Sequence, residues 1–200
     1  MNVIPLDGMH VLYGTVCSGK TSELIRQLSI HSEMINTKVL YVNSKKDTRG
    51  DKFSSNSSYT VFPKKVDSMK IDSIQELVDH KEYSKYDVIG IDEAQFFKDI
   101  SNEILEPLIL KGSKIIVSGL LTDSEGKKFG NICELIRHSE SSTQMHSFCS
   151  SCSLKGKLTH GLYSAIIKAK SKDKIGQIHI GSSDVYSPLC RFCYNDQKNS

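Results

Sequence analysis

Short apolar runs alternate with helix-like stretches over the first two thirds of the chain. Four runs predict strands, at His10–Tyr13, Lys38–Val42, Tyr86–Asp92 and Lys114–Leu120. The segments between and after them predict helices at Thr21–Met34, Ile74–His80, Ile100–Leu110 and Ile132–Arg137. We expect Pro107 to bend or end the third helix, because proline lacks the N–H that a helix needs. Strands that alternate with helices in this way are typical of a mainly parallel α/β sheet.

The character of the chain changes after about residue 140. The remaining segment is poor in helical periodicity and is bounded by pairs of cysteines. We therefore predict a domain boundary at Ser141–Gln144, with domains at 1–144 and 145–200. A second irregular segment, Arg49–Tyr59, is rich in Ser, Asp, Gly and Asn and predicts a mobile loop.

Composition and charge exclude several classes of protein. With 200 residues, 38% hydrophobic and 24% charged, the chain has room for one ordinary core and a small appendage. A net charge of +3 is too mild to predict a stable nucleic-acid partner. No run approaches the roughly 18 apolar residues of a membrane span, and the N-terminus does not have the pattern of a secretory signal. We expect a cytoplasmic protein.

The strand at His10–Tyr13 leads into a phosphate-binding loop. The segment 14–21 fits G-x-x-x-x-G-K-[ST] at every fixed position. Its backbone N–H groups and the following helix N-terminus are suited to anionic phosphates, Lys20 can reach the outer phosphates, and Thr21 offers a hydroxyl to magnesium. The predicted ATP-binding residues are Gly14, Thr15, Val16, Cys17, Ser18, Gly19, Lys20 and Thr21.

Two acidic residues stand at the end of the predicted strand Tyr86–Asp92. Asp92 is its last residue, and Glu93 follows directly. Asp92 stands where P-loop proteins hold magnesium through water, and Glu93 can accept a proton from an attacking group. With water as the acceptor the protein would be an ATPase, and with a bound hydroxyl it would be a kinase. Gln95 and Phe96 bear on that choice, since an amide can hydrogen-bond a nucleobase and a ring can stack on it.

Four cysteines form two C-x-x-C pairs, Cys149/Cys152 and Cys190/Cys193, with 37 residues between the pairs. Each spacing lets two thiolates face one tetrahedral zinc ion, and four thiolates leave no position for water. The sequence therefore predicts a structural zinc site, with a segment looped out between the cysteine pairs. Four free cysteines or two redox pairs are the alternatives.

Taken together, these motifs resemble the type II thymidine kinases, the cellular and poxviral family. The resemblance covers roughly residues 10–194. It implies a P-loop, RecA-like fold with a mainly parallel sheet and helices, followed by a small C-terminal zinc-ribbon and lasso domain. The segments that carry it are Gly14–Thr21, Lys46–Arg49, Val88–Phe97, Ile180–Tyr186 and Cys190–Tyr194.

The resemblance implies that the reaction is transfer of phosphate from ATP to a deoxynucleoside, most simply thymidine. Lys20 and Thr21 would hold the phosphates and magnesium, with Asp92 assisting the metal. Asp47 and Arg49 match a loop motif near the phosphates, where Arg49 could neutralise charge on the transferring group. Glu93 would be the general base for the 5′-hydroxyl. The ATP-side residues also include Gln95.

The nucleoside would lie under a lasso looped out between the cysteine pairs. Family members are commonly tetramers, so the resemblance also implies a homo-oligomer. The positions that match nucleoside-contacting residues of the family are Phe96, Leu120, Phe129, Thr159, Gln177, Ile178, His179, Ile180, Gly181 and Tyr186.

The sequence departs from the family mainly around the nucleobase. Thr15-Val16-Cys17 replaces Pro-Met-Phe, Ser124 replaces an aromatic residue, and Thr159-His160-Gly161 replaces Thr-x-Arg. Loss of a ring from a stacking pocket can cost about 1–3 kcal/mol of binding. Three alternatives therefore stay open: another pyrimidine preference, a P-loop ATPase whose zinc appendage acts on nucleic acid, and a non-catalytic binding subunit.

Overall fold

A parallel six-stranded sheet forms the centre of the molecule. The computed structural model describes residues 4, 7–47, 66–80, 82–167 and 185–199. The strands are β1 Met9–Gly14, β2 Val39–Ser44, β3 Val66–Ile71, β4 Val88–Ile91, β5 Lys114–Gly119 and β6 Ser141–Met145. Their order across the sheet is β3-β2-β4-β5-β1-β6, and every neighbouring pair is parallel. The predicted mainly parallel α/β fold is confirmed.

Helices cover both faces of this sheet. Helix α1, Lys20–Ser32, packs Leu24 and Leu28 against one face, where Ile116 of β5 also points. The other face is covered by α2 Gln75–Asp79, α3 Asn102–Leu110 and α4 Ile132–His138. Short 3₁₀ turns at Tyr83–Lys85 and Ala94–Phe96 flank β4. Because parallel strands are buried on both faces, the central ones are almost wholly apolar.

The C-terminal part has small antiparallel elements and an apolar cluster of its own. Its elements are β7 Ser147–Phe148, α5 Ser150–Ser153, β8 His160–Gly161, β9 Tyr163–Ile166, β10 Tyr186–Leu189 and α6 Arg191–Asn199. Strand β7 pairs with β8, and β9 pairs with β10. The cluster is formed by Cys149, Ala165, Leu189, Cys190 and Tyr194.

The main sheet is larger than the sequence-based prediction. Strands β3 and β6 were not predicted, and β6 covers Ser141–Gln144, where we placed a boundary, so this segment belongs to the main sheet through its pairing with β1. Helix α3 ends at Leu110 as predicted, with Pro107 inside it, so of the two expected effects the proline does not end the helix. The division into domains at residue 144 stays a prediction, and the predicted loop at Arg49–Tyr59 lies outside the described residues.

Among the described residues, no helix combines the length and the apolar character that crossing a bilayer requires.

Candidate active site

The P-loop connects the end of β1 to the start of α1. Gly14 ends the strand, and a side chain there would collide with the carbonyl oxygen of Met145 on β6. Gly19, the residue before the helix, has φ 84°, a left-handed conformation that favours glycine. Cys17 also has positive φ, at 58°. The two fixed glycines of the motif are thus required by close approach at one end and by backbone conformation at the other.

The side chain of Lys20 folds back onto the P-loop. Its side chain is buried, with the residue 9% exposed, and its Nζ donates a 2.7 Å hydrogen bond to the carbonyl oxygen of Thr15. Ser18 Oγ is also buried and has no hydrogen-bond partner among the described residues. A buried hydroxyl without a partner is costly unless a ligand satisfies it. The cradle therefore offers a cation and an unsatisfied hydroxyl in the place where the motif predicts phosphate oxygens.

Asp92 is held rigidly at the carboxyl end of β4. It is 1% exposed, accepts a 2.9 Å hydrogen bond from Tyr41 Oη, and its Oδ1 accepts the N–H of Glu93 at 3.0 Å. The register pairs Ile91 with Val117, so Asp92 lies level with Ser118 on β5, on the α1 side of the sheet. This position suits a cation bound beneath the first turn of α1.

Ser118 supplies a second sign that a ligand belongs there. Its Oγ is fully buried and has no hydrogen-bond partner in the part of the chain that the structure describes. The donor set of a carboxylate, the hydroxyl of Thr21 and this unsatisfied hydroxyl is made of hard oxygens, which magnesium and its bound water prefer. The residues present therefore fit a magnesium ion that accompanies the phosphates of ATP.

Glu93 is held in an unusual conformation next to Asp92. Its backbone has φ 48° and ψ 40°, and its Oε2 accepts a 2.5 Å hydrogen bond from Gln95 Nε2. Gln95 is buried, and its Oε1 accepts the N–H of Leu120 at 3.0 Å. Both ends of the amide are thus used inside the protein, because Gln95 bridges Glu93 to the residue after β5. Its assignment to the ATP side, and the contact with a nucleobase that its amide could make, stay predictions.

The loop after β2 reaches the same edge of the sheet. Asp47 is fully buried and its Oδ2 accepts a 3.0 Å hydrogen bond from Asn43 Nδ2, while its carbonyl oxygen accepts one of 2.8 Å from Lys70. Lys46 Nζ donates to the carbonyl oxygen of Phe96 at 3.2 Å. Asp47 therefore supports the loop in this structure. Arg49 lies outside the described residues.

Phe96 and Phe129 form an aromatic corner beside these groups. Their ring centroids are 5.7 Å apart and their planes meet at 83°, an edge-to-face contact. Leu120 adjoins the corner through its hydrogen bond to Gln95. The structure thus brings together three of the predicted nucleoside-contacting residues with Glu93.

The other predicted nucleoside residues lie elsewhere or are not described. Thr159 is exposed, and its carbonyl oxygen accepts the N–H of Cys149 at 2.7 Å, at the cysteine cluster. Tyr186 begins β10, where it pairs with Ile166 of β9. Gln177, Ile178, His179, Ile180 and Gly181 lie outside the described residues.

The four predicted metal-binding cysteines converge. All four sulfur atoms lie within 4.8 Å of one another, and Cys152 Sγ is 3.8 Å from Cys190 Sγ and 3.7 Å from Cys193 Sγ. Tetrahedral zinc with bonds of about 2.3 Å to sulfur requires sulfur atoms about 3.8 Å apart. The cluster can therefore hold a metal ion, and its donor set fits zinc.

The thiols have different proton affinities. Burial alone would raise the pKa of Cys149, but backbone N–H groups of Cys190 and Cys152 and the neighbouring thiols lower it to about 7. The pKa of Cys193 is raised to about 12, chiefly by its hydrogen bond with Cys190 and by burial. A first thiolate therefore forms readily at Cys149, whereas the last thiol needs a metal ion to lose its proton.

Several residues at the site were not found by sequence reasoning. Tyr41 fixes Asp92, and Ser147 and Ser164 bind the P-loop from the C-terminal part. Tyr194 donates to the carbonyl oxygen of Ser124 at 2.8 Å, so this departure from the family is tied to α6. Each of these residues contacts a partner that is distant in sequence. Only Tyr194 lies in a motif that the sequence shows, because it ends the segment Cys190–Tyr194.

Similarity to known proteins covers almost the whole chain. A thymidine kinase family model matches residues 8–194. The thymidine kinase of Choristoneura fumiferana entomopoxvirus is 34% identical over 192 residues, which cover 94% of this chain and 96% of that protein. A thymidine kinase of Bacteroides thetaiotaomicron is 30% identical over 186 residues, or 93% and 86% of the two chains. One of Oryza sativa subsp. japonica is 30% identical over 191 residues, or 94% of this chain and 66% of the plant protein.

Proposed function

Because the chain belongs to the thymidine kinase family, we propose that it transfers the γ-phosphate of ATP to the 5′-hydroxyl of thymidine. The observation that carries the proposal is the arrangement at the carboxyl ends of β1 and β4. There Lys20 lies over the P-loop, Asp92 is fixed by Tyr41, and Glu93 is fixed by Gln95. A kinase needs a phosphate cradle, a metal-holding acid and a base for the acceptor, and these residues supply the three.

The donor side is built from the P-loop and Asp92. Lys20 would leave the carbonyl oxygen of Thr15 and bind the outer phosphates, where its charge offsets the negative charge that develops during transfer. Thr21 and Asp92 would hold magnesium, and Ser118 would satisfy a water bound to it. When bound, the magnesium ion neutralises phosphate oxygens and aligns the γ-phosphoryl group for in-line attack.

The acceptor side is built around Glu93. Its carboxylate would accept the proton of the 5′-hydroxyl as the oxygen attacks the γ-phosphorus. Gln95 keeps the carboxylate in one orientation, so the base does not have to be ordered when the nucleoside arrives. Phe96 and Phe129 would pack against the nucleobase, with Leu120 beside them.

Several roles are carried only by the family resemblance. We propose that Arg49, with Asp47 supporting its loop, neutralises charge near the phosphates. We likewise propose that the backbone of Gln177–Gly181, together with Thr159 and Tyr186, contacts the pyrimidine. An oligomer, specifically a tetramer, is proposed on the same ground.

A structural zinc ion at the four cysteines is part of the proposal. The support is the spacing of the sulfur atoms and the all-sulfur donor set, which leaves no position for a substrate. Zinc binding requires reduced cysteines, which agrees with the predicted cytoplasmic location. That location stays a prediction.

A product assay tests the proposed acceptor. The purified protein is incubated with Mg-ATP and, separately, with thymidine, deoxyuridine, deoxycytidine, deoxyadenosine or deoxyguanosine, and the monophosphates are quantified. We expect thymidine to give the highest kcat/KM. Monophosphate formed faster from deoxycytidine would reassign the substrate, because the changed residues around the nucleobase would then have altered the preference. ATP hydrolysis stimulated by DNA, without any nucleoside monophosphate, would favour the nucleic-acid ATPase instead.

A further inference from the structure

Thr15, the first variable residue of the P-loop, is hydrogen-bonded to the C-terminal part of the chain. Its Oγ1 lies 2.7 Å from Ser147 Oγ and 3.1 Å from the carbonyl oxygen of Gly161. Since a hydroxyl has one proton, both contacts are satisfied when Thr15 donates to Gly161 and accepts from Ser147. Ser147 is buried and Thr15 is partly buried, so water has limited access to these bonds. The P-loop is thus attached to the paired strands β7 and β8.

The next residue of the loop is attached as well. The N–H of Val16 donates to Ser164 Oγ at 3.1 Å, and Ser164 is a buried residue of β9. Backbone N–H groups of a phosphate-binding loop usually point toward the anion, but this one is directed to the protein. Two successive residues of the loop, one through its side chain and one through its backbone N–H, are therefore hydrogen-bonded to the C-terminal part. We call Thr15, Val16, Ser147, Gly161 and Ser164 the P-loop clasp.

The C-terminal residues of the clasp flank the first cysteine pair in sequence and lie against the strand that leads into the second. Ser147 is two residues before Cys149, and Gly161 is paired with it in the β7–β8 ladder. A Cβ atom on Gly161 would lie 2.7 Å from Pro188 Cβ, and Pro188 is two residues before Cys190. Bringing the cysteine pairs together around a metal ion therefore also fixes the strands that hold Thr15.

Thr15 also contacts Lys20, the lysine of the P-loop, through its backbone. The carbonyl oxygen of Thr15 accepts the 2.7 Å hydrogen bond from Lys20 Nζ, while its hydroxyl makes the contacts of the clasp. One residue therefore joins the phosphate-binding lysine to the cysteine-bound segment. A loop already held in its binding shape loses less conformational entropy when the nucleotide arrives.

We propose that Thr15 is a positioning residue through which the cysteine-bound segment holds the P-loop, so that metal binding at the four cysteines raises the affinity for nucleotide. The inference rests on the proposed function only in taking Gly14–Thr21 as the nucleotide site. It assigns a functional consequence to the cysteine cluster beyond stabilising its own part of the chain.

A double-mutant cycle tests the clasp without removing metal. The Kd of a fluorescent ADP is measured in the presence of magnesium for the wild type, Thr15→Val, Ser147→Ala and the double variant, with Thr15→Ser as the control that keeps the hydroxyl. We expect each single change to weaken binding about 3- to 10-fold, and the double variant to be little weaker than either single one. Thr15→Ser should keep most of the affinity.

A second experiment measures how far nucleotide affinity depends on the metal. If Thr15 had only a structural role, the Thr15→Val change would not alter this dependence. Zinc is removed with a chelator from the wild type and from Thr15→Val, and binding of the same nucleotide is measured. We expect chelation to weaken binding strongly in the wild type and by a clearly smaller factor in Thr15→Val. Wild-type affinity in Thr15→Val, or equal chelation factors in both proteins, would overturn the clasp. A wild type that does not bind the nucleotide would instead contradict the proposed function itself.

Discussion

At the scale of single residues, the site depends on two carboxylates, each of which accepts a hydrogen bond from a neighbouring side chain. Glu93 has a left-handed backbone, which costs a non-glycine residue roughly 1–3 kcal/mol and persists only where the surroundings enforce it. Gln95 links the carboxylate of Glu93 to the backbone of Leu120. Tyr41 donates a hydrogen bond to the carboxylate of Asp92. These two hydrogen bonds help to fix the direction in which each carboxylate points.

Glu93→Gln tests the base. The amide keeps the size of the side chain but accepts no proton, so kcat should fall about 10²- to 10⁴-fold while the affinity for ATP stays near that of the wild type. Steady-state kinetics and ATP titration measure the two effects separately. Glu134→Gln, an exposed position on α4, is the control. Loss of ATP binding in Glu93→Gln would show that this carboxylate belongs to the donor side.

Tyr41→Phe tests the support of Asp92. Removing the hydroxyl leaves the carboxylate with one fewer donor, so the magnesium concentration for half-maximal activity should rise about 3- to 10-fold. Tyr86→Phe is the matched control. Tyr86 donates a similar hydrogen bond, of 2.7 Å, to the carboxylate of Asp67 on the edge strand β3. An equal magnesium requirement in the wild type and Tyr41→Phe would mean that Asp92 does not hold the ion.

At the scale of elements, sequence patterns identified the middle of the sheet and missed its edges. Strands β1, β2, β4 and β5 are buried on both faces and read as apolar runs, whereas all four leading residues of β6 are exposed and Asp67, Ser68 and Lys70 occupy β3. An edge strand is held by backbone pairing more than by burial, so its composition resembles that of a loop. Pro107 lies inside α3 without ending it, because the packing of the helix can override local propensity.

Gly130→Ala tests how the turn that carries Gln95 is positioned. Gly130 has φ 64°, and a Cβ there would lie 2.8 Å from the backbone of Gln95. We expect lower stability and a reduced kcat, since the 3₁₀ turn Ala94–Phe96 must move. Gly156→Ala is matched in conformation, with φ 70° and open space around it, and isolates the cost of the backbone alone. The melting temperature and kcat are measured for both variants. Equal losses of melting temperature and kcat in the two variants would show that the close contact with Gln95 is not the cause.

At the scale of the whole molecule, the contiguous motifs could be predicted and the contacts between distant segments could not. Segment 14–21, Asp92, Glu93 and the C-x-x-C pairs each have a local signature. The bridge from Gln95 to Leu120 spans 25 residues, and the bond from Thr15 to Ser147 spans 132, so neither leaves a pattern in the sequence. Sequence reasoning placed Gln95 on the ATP side or near the nucleobase, and it gave no sign of the hydrogen bonds that its amide makes with Glu93 and Leu120.

Cys190→Ser tests the metal in the C-terminal part. Serine is a poor zinc ligand, so the bound zinc should fall from about one ion per chain toward zero, and the melting temperature should fall because metal binding contributes to folding. Elemental analysis and thermal unfolding measure both. Cys133→Ser, an exposed cysteine on α4, should change neither. A wild type without zinc would refute the site directly.

The central claim is transfer of the γ-phosphate of ATP to the 5′-hydroxyl of thymidine. The most direct measurement follows ADP and thymidine 5′-monophosphate together, with thymidine or with 5′-deoxythymidine, which lacks the acceptor oxygen. The account predicts one ADP for each monophosphate with thymidine, and almost no ADP with 5′-deoxythymidine. Equal ADP production with both compounds, without monophosphate from thymidine, would contradict it, because water would then be the acceptor.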